Sequence, residues 1–208
     1  MDANLVICSL RRYDLIDYKP AAMKKTIILE KKEISDNIEK ISRQISGRHT
    51  SLEDVVLVGI RTGGAYLAAR LQRAFGHLGL PAPPVGIVDI TLYRDDWTRI
   101  APAPVVGKTD LPFSVNDKTI ILIDDVLFTG RTVRAAMDAL MDYGRPKRIE
   151  LAVLVDRGKT DRELPITANY IGGTWDIALD ETINVYLKEA GFHDHVAIEQ
   201  KGHPDHAA

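Results

Sequence analysis

The sequence predicts an α/β protein with a doubly wound, mostly parallel β-sheet flanked by helices on both faces. Two observations lead to this prediction. Short apolar runs alternate along the chain with segments of helical periodicity, an order typical of a parallel sheet covered on both sides. In addition, the run VVLVGI at 55–60 is apolar throughout and rich in β-branched residues, as expected for a strand buried on both faces.

The first half of the chain supplies two strand–helix units. A short strand is expected at 26–29. A helix is expected over 33–46, where isoleucines recur at spacings of three and four residues and would form one apolar face. After the strand at 55–60, Gly63-Gly64 interrupts the pattern and a second helix is expected at 65–75.

The second half continues the alternation. Strands are expected at 84–93, 119–124 and 148–156, and an amphipathic helix follows the second of them. The stretch 94–116 contains Gly and Pro and has no period, so we expect a long loop, which in a compact domain is usually functional or mobile. Beyond 157 the apolar runs shorten, and small strands in NYIGG, TINVYL and VAIEQ are expected to cap one end.

Composition narrows the class of protein. The chain has 208 residues, 45% of them hydrophobic, which is enough for the core of one domain. Its net charge of −2 gives no overall basic excess to attract nucleic acid, and a single cysteine excludes an internal disulfide. No apolar run approaches the roughly 18 residues of a membrane span. We expect a cytoplasmic protein with a peripheral extension at 1–22, one domain at 23–200 and a polar tail at 201–208.

The segment that carries the clearest chemistry joins the strand at 119–124 to the next helix. Asp124-Asp125 ends the strand, and Thr129-Gly130-Arg131-Thr132 opens the helix, where backbone N–H groups bind anions. Gly130 permits close approach, the threonine hydroxyls and amides suit a phosphate monoester, and Arg131 adds positive charge. The two carboxylates repel phosphate and suit instead ribose hydroxyls or a divalent cation. Phosphate beside a diol indicates a ribose 5-phosphate.

Two plainer interpretations fit the same spacing. A flavodoxin-like receiver domain also ends its strands in carboxylates. Alternatively, Thr129 is only a helix N-cap and Asp124-Asp125 belongs to a solvated loop.

The apolar strand, Asp-Asp, three residues, Thr-Gly and then Thr resemble the 5-phosphoribosyl 1-diphosphate signature of the phosphoribosyltransferases. Further segments narrow the resemblance to the bifunctional pyrimidine operon attenuation protein/uracil phosphoribosyltransferase family: VGIRTGGAYLA, DITLYRDD, TGRTVRAAMDAL and LAVLVDRG. The similarity extends from about Lys24 to about Gln200. It implies the type I phosphoribosyltransferase fold, with a small hood that covers the base.

The resemblance also implies roles for individual residues. Arg61-Thr62-Gly63-Gly64 corresponds to the pyrophosphate loop, although the family more often has Arg where Gly63 stands; an ordinary glycine turn would explain the same residues. Arg94 would reach the diphosphate from the family's flexible catalytic loop, although it also fits a solvated charge run. Asp156, Arg157 and Ile183 would contact the base or nucleotide, where Asp156-Arg157 could equally be a surface ion pair.

The implied reaction converts uracil and 5-phosphoribosyl 1-diphosphate into UMP and pyrophosphate, with Mg²⁺ bound to the diphosphate. Asp124, Asp125 and Arg94 are the predicted catalytic residues, and no residue is predicted as a general base. UTP is a further expected ligand, and a homo-oligomer, dimeric or larger, is expected. The predicted phosphate, ribose and diphosphate site comprises Arg61, Thr62, Gly63, Gly64, Asp124, Asp125, Val126, Leu127, Phe128, Thr129, Gly130, Arg131 and Thr132.

Family members also bind a messenger-RNA leader stem-loop through a basic surface. In this chain the Asp-Arg-Gly turn is followed by a two-residue insertion that brings Asp161 to the family's histidine position. Since an acid weakens attraction to RNA phosphates, we expect weak RNA binding. The candidate cations are Lys40, Arg43, Arg48 and Arg162. Two alternatives to the uracil enzyme stay open: a non-catalytic nucleotide-sensing regulator and a phosphoribosyltransferase for another base.

Overall fold

The computed structural model describes residues 25–95, 107–158, 160 and 162–200, which form two β-sheets and three α-helices. Single 3₁₀ turns lie at Thr91–Tyr93 and Lys188–Ala190. The expectations for 1–22, 201–208 and the middle of the 94–116 loop lie outside these residues. The helices and strands along the chain are β1 (Lys25–Glu30), α1 (Lys31–Arg48), β2 (Val55–Ile60), α2 (Gly63–His77), β3 (Val85–Val88), β4 (Thr119–Leu127), α3 (Arg131–Met141), β5 (Arg148–Asp156), β6 (Tyr170–Thr174), β7 (Glu181–Tyr186) and β8 (His195–Gln200).

The larger sheet has five parallel strands in the order β3-β2-β4-β5-β6. Successive residues of its central strands point to opposite faces. Leu57 and Ile121 pack with α1 and α2 on one face, whereas Val58 and Leu122 pack with α3 on the other. The predicted doubly wound α/β fold is therefore confirmed.

The start and the buried face of helix α1 both follow from its local sequence. The Glu33 side chain accepts a hydrogen bond from the Glu30 backbone N–H, which would otherwise be unsatisfied at the helix start. The isoleucines spaced by three and four are buried: Ile34, Ile38, Ile41 and Ile45. The helix is two residues longer at each end than the predicted 33–46, because apolar periodicity marks the buried face and not the solvated ends.

The smaller sheet is antiparallel, in the order β1-β8-β7. It brings the first described strand against the last, with Ile27 opposite Ala197. Leu29, Ile183 and Val196 from its three strands join the core that α1 and α2 form. The prediction of small capping strands is correct for β7 and β8. It is wrong for β6, which pairs with β5 as the edge of the main sheet.

Strands β3 and β4 end differently from the predictions. The expected strand at 84–93 stops at Val88, because the Asp89 carboxylate then accepts the Thr91 N–H and the backbone turns. In contrast, β4 continues past the predicted end at Asp124 to Leu127 and pairs with β5 throughout. The adjacent carboxylates thus belong to a paired strand, which holds their backbone rigidly. Among the described residues, no helix is long and apolar enough to cross a membrane.

A buried polar network joins α1 to the amino-terminal ends of β5 and β6. Glu150 is 2% exposed and accepts hydrogen bonds from the Tyr170 hydroxyl at 2.5 Å and from Arg148 at 3.2 Å. His49 Nε2 lies 3.0 Å from the same carboxylate. Burial alone would raise the pKa of Glu150, but hydrogen bonds from Tyr170, His49 and Arg148 outweigh it and hold the pKa below its ordinary value.

This network predicts a pH-dependent stability. A carboxylate whose folded-state pKa is lowered stabilises the fold above its unfolded-state pKa of about 4.3, and that contribution disappears as pH falls through the folded-state value. We expect Glu150→Gln to reduce the free energy of unfolding at pH 7 by about 1.5–3 kcal/mol. The difference from the unchanged protein should shrink below about pH 4.

Urea unfolding at several pH values measures this effect. Glu53→Gln is the matched control, because Glu53 is exposed on a nearby turn. Equal losses of stability in the two variants, or a difference that does not depend on pH, would contradict the role assigned to Glu150.

Candidate active site

The carboxyl ends of three neighbouring strands bring the predicted site residues together. In the parallel sheet β2 pairs with β4, and β4 pairs with β5 as far as Leu127 opposite Asp156. The segments that leave these ends therefore lie at one edge: Arg61–Gly64 after β2, Phe128–Thr132 after β4, and Arg157 after β5. This edge is where open α/β sheets bind ligands.

Asp124 and Asp125 lie at the centre of this edge. Asp124 is only 6% exposed, and its Oδ1 accepts the Asp125 N–H at 3.0 Å. Asp125 Oδ1 accepts the Val126 N–H at 2.8 Å. The interpretation of these residues as a solvated loop is therefore wrong, because the pairing of β4 with β5 holds both within a strand.

Both carboxyl groups have raised pKa values. Burial and the negative charge of Asp125 raise the pKa of Asp124 well above its ordinary value, whereas the positive charge of Arg94 lowers it. Burial also raises the pKa of Asp125, against the lowering effect of its hydrogen bond from Val126. A positive charge close to the pair favours the ionised form of both groups.

The segment after β4 forms the predicted anion-binding turn. Gly130 has φ +93°, a left-handed conformation that other residues rarely adopt, and α3 begins at the next residue. Gly130, and not Thr129, is the N-cap residue. A cavity of about 310 Å³ opens beside the turn and is lined by Arg94, Asp95, Phe128, Thr129, Arg131 and Thr132.

Arg131 differs from its predicted role as an added positive charge for phosphate. Its guanidinium contacts Asp95 and Glu163, both at 2.5 Å. Two carboxylates thus pair with it, because its long, exposed side chain reaches both Asp95 and Glu163. The backbone amides at the start of α3 remain the groups suited to an anion.

The glycines of the first loop are required by a close approach of α2 to β4. A Cβ atom on Gly64 would lie 2.2 Å from the backbone oxygen of Ile123. A Cβ atom on Gly63 would lie 2.2 Å from Asp125 Oδ2. The absence of a side chain at 63, where the resembled family more often has Arg, leaves a space that the Asp125 carboxylate occupies.

The segment after β5 packs on the segment that follows β4. The Arg157 guanidinium lies 3.9 Å from the centre of the Phe128 ring. Arg162 donates hydrogen bonds to Asp156 Oδ1 at 2.6 Å and to the Phe128 backbone oxygen at 2.5 Å. Arg162 is only 11% exposed, which argues against its predicted contact with RNA.

The other predicted residues lie away from this edge. Ile183, a predicted base contact, is buried in the core shared by β7, α1 and α2, because its side chain points inward from the smaller sheet. Lys40 Nζ donates a hydrogen bond to the Gly172 oxygen at 2.8 Å. Arg43 and Arg48 lie on exposed positions of α1, within 4 Å of Glu39 and Glu150 respectively.

Asp89 is a site residue that the sequence analysis missed. It follows β3 at the same edge and lies 3.7 Å from Arg61 Nε. An acid at the end of an apolar run is the signal that also identifies Asp124 and Asp156. At Asp89 this signal is hidden, because the predicted strand 84–93 includes Asp89 in its interior, whereas β3 ends at Val88.

Comparison with known proteins agrees with this geometry. The phosphoribosyl transferase domain family matches residues 25–182. A bifunctional protein PyrR from Syntrophobacter fumaroxidans is 49% identical over 84% of this chain and 92% of its own length. Another from Chloroflexus aurantiacus is 51% identical over 82% of this chain and 93% of its own length.

Solved structures support the fold. A hypoxanthine phosphoribosyltransferase from Staphylococcus aureus superposes with a TM-score of 0.61 at 20% identity, covering 82% of this chain and 90% of its own. The Leishmania tarentolae enzyme HGPRT-ase, in complex with GMP, superposes with a TM-score of 0.61 at 17% identity, covering 87% and 100%.

We expect different consequences when each of the two loop glycines is replaced by alanine. In Gly64→Ala the new methyl group meets backbone, so the strand and helix must separate, and we expect a loss of unfolding free energy of about 1–3 kcal/mol. In Gly63→Ala it meets only the end of the Asp125 side chain, which can rotate. We expect Gly63→Ala to keep most of the stability but to weaken ligand binding beside Asp125.

Urea unfolding and calorimetric titration with 5-phosphoribosyl 1-diphosphate measure the two effects separately. Gly47→Ala, at a position where a Cβ meets nothing within 4 Å, is the control for the general effect of alanine. If both loop variants lost stability equally, it would be wrong to assign a packing role to Gly64 and a ligand-binding role to Gly63.

Proposed function

The chain belongs to the phosphoribosyl transferase family and, within it, to the bifunctional PyrR proteins, and from this premise we propose that it is a uracil phosphoribosyltransferase. The reaction transfers the 5-phosphoribosyl group from its 1-diphosphate to uracil and gives UMP and pyrophosphate. The observation that carries the proposal is one sheet edge with a carboxylate pair between two anion-binding turns.

We assign the parts of the sugar phosphate to neighbouring groups at this edge. The amides at the start of α3, beyond Gly130, suit the 5-phosphate. The loop Arg61–Gly64, at the start of α2, suits the diphosphate. Asp124 and Asp125 lie between these two turns and suit the ribose hydroxyls. We propose that Arg157, which lies against the Phe128 ring, covers the base.

Catalysis in this arrangement depends on position and charge. As the bond from the ribose to the diphosphate breaks, the ring becomes electron-poor and positive. Ionised Asp124 and Asp125 stabilise that charge more than they stabilise the ground state, which is how a binding group accelerates a reaction. The positive ring in turn lowers the pKa values of both groups. Arg61 and Arg94 carry charge that suits the departing diphosphate, and we assign no general base.

Mg²⁺ is the metal that fits this site. Magnesium in phosphate enzymes is held by one or two carboxylates together with substrate oxygens. Among the described residues, no group of three or more His, Cys, Asp or Glu could hold a metal alone, but the oxygens of Asp124 and Asp125 could contribute beside a bound diphosphate. Bound there, Mg²⁺ would neutralise charge on the leaving group.

A base-specificity assay tests the proposal. The protein is incubated with Mg²⁺, 5-phosphoribosyl 1-diphosphate and radiolabelled uracil, orotate or hypoxanthine. We expect UMP as the main product. Asp124→Asn combined with Asp125→Asn should lower kcat at least 100-fold with little loss of stability, because the carboxylates act mainly in the transition state. Preferred use of hypoxanthine or orotate would refute the assigned base, and no product from any base would refute catalysis.

A second function concerns RNA, since the curated relatives are named as bifunctional. We propose that this chain binds the leader RNA of pyrimidine genes weakly. We also propose that it is a cytoplasmic protein and a homo-oligomer. Arg162 is engaged within the site, and Lys40 bonds to a backbone oxygen, so fewer cations are available for phosphates. With few phosphate contacts, affinity should fall steeply with salt.

Filter binding with and without UMP measures the affinity for the leader RNA and its dependence on salt. We expect retention of the leader RNA at low salt and its loss at physiological salt. Arg43→Gln should weaken binding more than Lys32→Gln, a control at the opposite end of α1. Nanomolar, sequence-selective binding that UMP strengthens at physiological salt would overturn the proposal of weak binding.

A further inference from the structure

Asp89 joins three segments at the edge of the candidate site. Its side chain is almost fully buried at the end of β3. One carboxylate oxygen accepts the Thr91 N–H at 3.0 Å, and the other accepts the Gly107 N–H at 3.1 Å. The second oxygen also lies 3.7 Å from Arg61 Nε. One buried carboxylate therefore contacts Arg61 in the loop after β2, the backbone that leaves β3 at Thr91, and the backbone of Gly107 further along the connection to β4.

The contact between these segments is tightly packed. A Cβ atom on Gly107 would lie 2.3 Å from Asp89 Oδ2 and 2.8 Å from Arg61 Cδ. Arg61 also donates a hydrogen bond through Nη2 to the Lys108 backbone oxygen at 3.0 Å. Arg61 is thus held against Gly107 and Lys108 on one side and Asp89 on the other, and yet 39% of its side chain remains exposed.

The backbone around Asp89 is fixed as well. The Asp89 N–H donates to the Thr109 hydroxyl at 3.0 Å. Ile87 and Asp110 exchange two backbone hydrogen bonds, which add the returning segment to the free edge of β3. The Asp89 carboxylate is therefore a rigid reference point for the Arg61 side chain.

We propose that Asp89 is a positioning residue for the transfer reaction, because it orients Arg61 toward the diphosphate. An unrestrained arginine loses side-chain entropy when it is immobilised on a ligand. A side chain that is already oriented avoids part of this loss. The 3.7 Å ion pair directs the guanidinium without closing it off from solvent. The inference rests on the proposed function, in that it takes Arg61–Gly64 as the diphosphate loop.

Two other roles for Asp89 make different predictions. A purely structural carboxylate would stabilise the chain through Thr91 and Gly107, and its removal would lower stability whatever residue stands at 61. A competing carboxylate would hold Arg61 away from the ligand, and its removal would tighten diphosphate binding. A positioning carboxylate acts through Arg61, so its removal weakens diphosphate binding only while Arg61 is present.

A double-mutant cycle separates the three roles. The variants are Asp89→Asn, Arg61→Gln and the two combined, with Asp110→Asn as the control. Asp110 lies in the same segment, but it is exposed and pairs with Ile87 through its backbone. For each protein we would measure the KM for 5-phosphoribosyl 1-diphosphate, the KM for uracil, the urea unfolding curve, and the calorimetric affinity for inorganic diphosphate with Mg²⁺.

We expect Asp89→Asn to raise the KM for 5-phosphoribosyl 1-diphosphate and the Kd for diphosphate on the order of tenfold. The KM for uracil should stay nearly constant, and Asp110→Asn should change nothing. In the Arg61→Gln background, Asp89→Asn should add less than about twofold to either constant. Gly107→Ala, which inserts a methyl group into the same contact, should reproduce the binding defect.

Three results would overturn the proposal: tighter diphosphate binding in Asp89→Asn, an equal effect with and without Arg61, or a change in unfolding alone. If Asp89→Asn does not fold, Gly107→Ala with Arg61→Gln completes the same cycle. An unchanged protein that binds diphosphate but makes no UMP would refute the proposed function. The calorimetric cycle would still decide the role of Asp89.

Discussion

The close approach of α2 to the carboxyl end of β4 is the constraint on which the candidate site depends. Gly64 is the strict requirement for it, because a Cβ there would meet the backbone of Ile123, whereas a Cβ on Gly63 would meet only the Asp125 side chain. This contact sets the separation between the first loop and the carboxylate pair. The parallel pairing of β4 with β2 and β5 then determines where the other two segments leave the sheet.

Several arginines around this edge lie close to carboxylates of the protein itself. Arg131 contacts Asp95 and Glu163, Arg162 contacts Asp156, and Arg61 lies close to Asp89. These ion pairs hold the loops around the site in place. Backbone amides at the helix starts suit anions, and Arg61, which stays partly exposed beside Asp89, adds a positive charge at the first loop.

The carboxylate pair shows how the fold adjusts chemistry. Burial raises the pKa values of both Asp124 and Asp125, and the negative charge of Asp125 raises that of Asp124 further, which is a cost for the free protein. The same environment makes the pair sensitive to a positive charge that develops beside it, because a buried charge is poorly screened by water. In the proposed reaction, the positive charge that develops on the ribose would therefore favour the ionised form of the pair.

Local patterns were enough to predict the sheet–helix alternation, the buried strand Val55–Ile60, helix α1 and the positions of Asp124 and of the turn at Gly130. These features depend on periodicity and on the conformational freedom of glycine, which are properties of short segments. Sequence alone thus determined the fold class and which segments meet at the sheet edge.

Only the tertiary structure decided the pairing of β1 with β8, the edge position of β6, the burial of Ile183 and the partners of Arg131 and Arg162. Each of these depends on contacts between residues that are distant in sequence or on the direction in which a long side chain points. Asp89 is the clearest case, because its importance comes from two contacts that short segments do not reveal. The pairing of β2 with β3 brings Arg61 beside it, and the return of the chain to Ile87 brings Gly107 beside it.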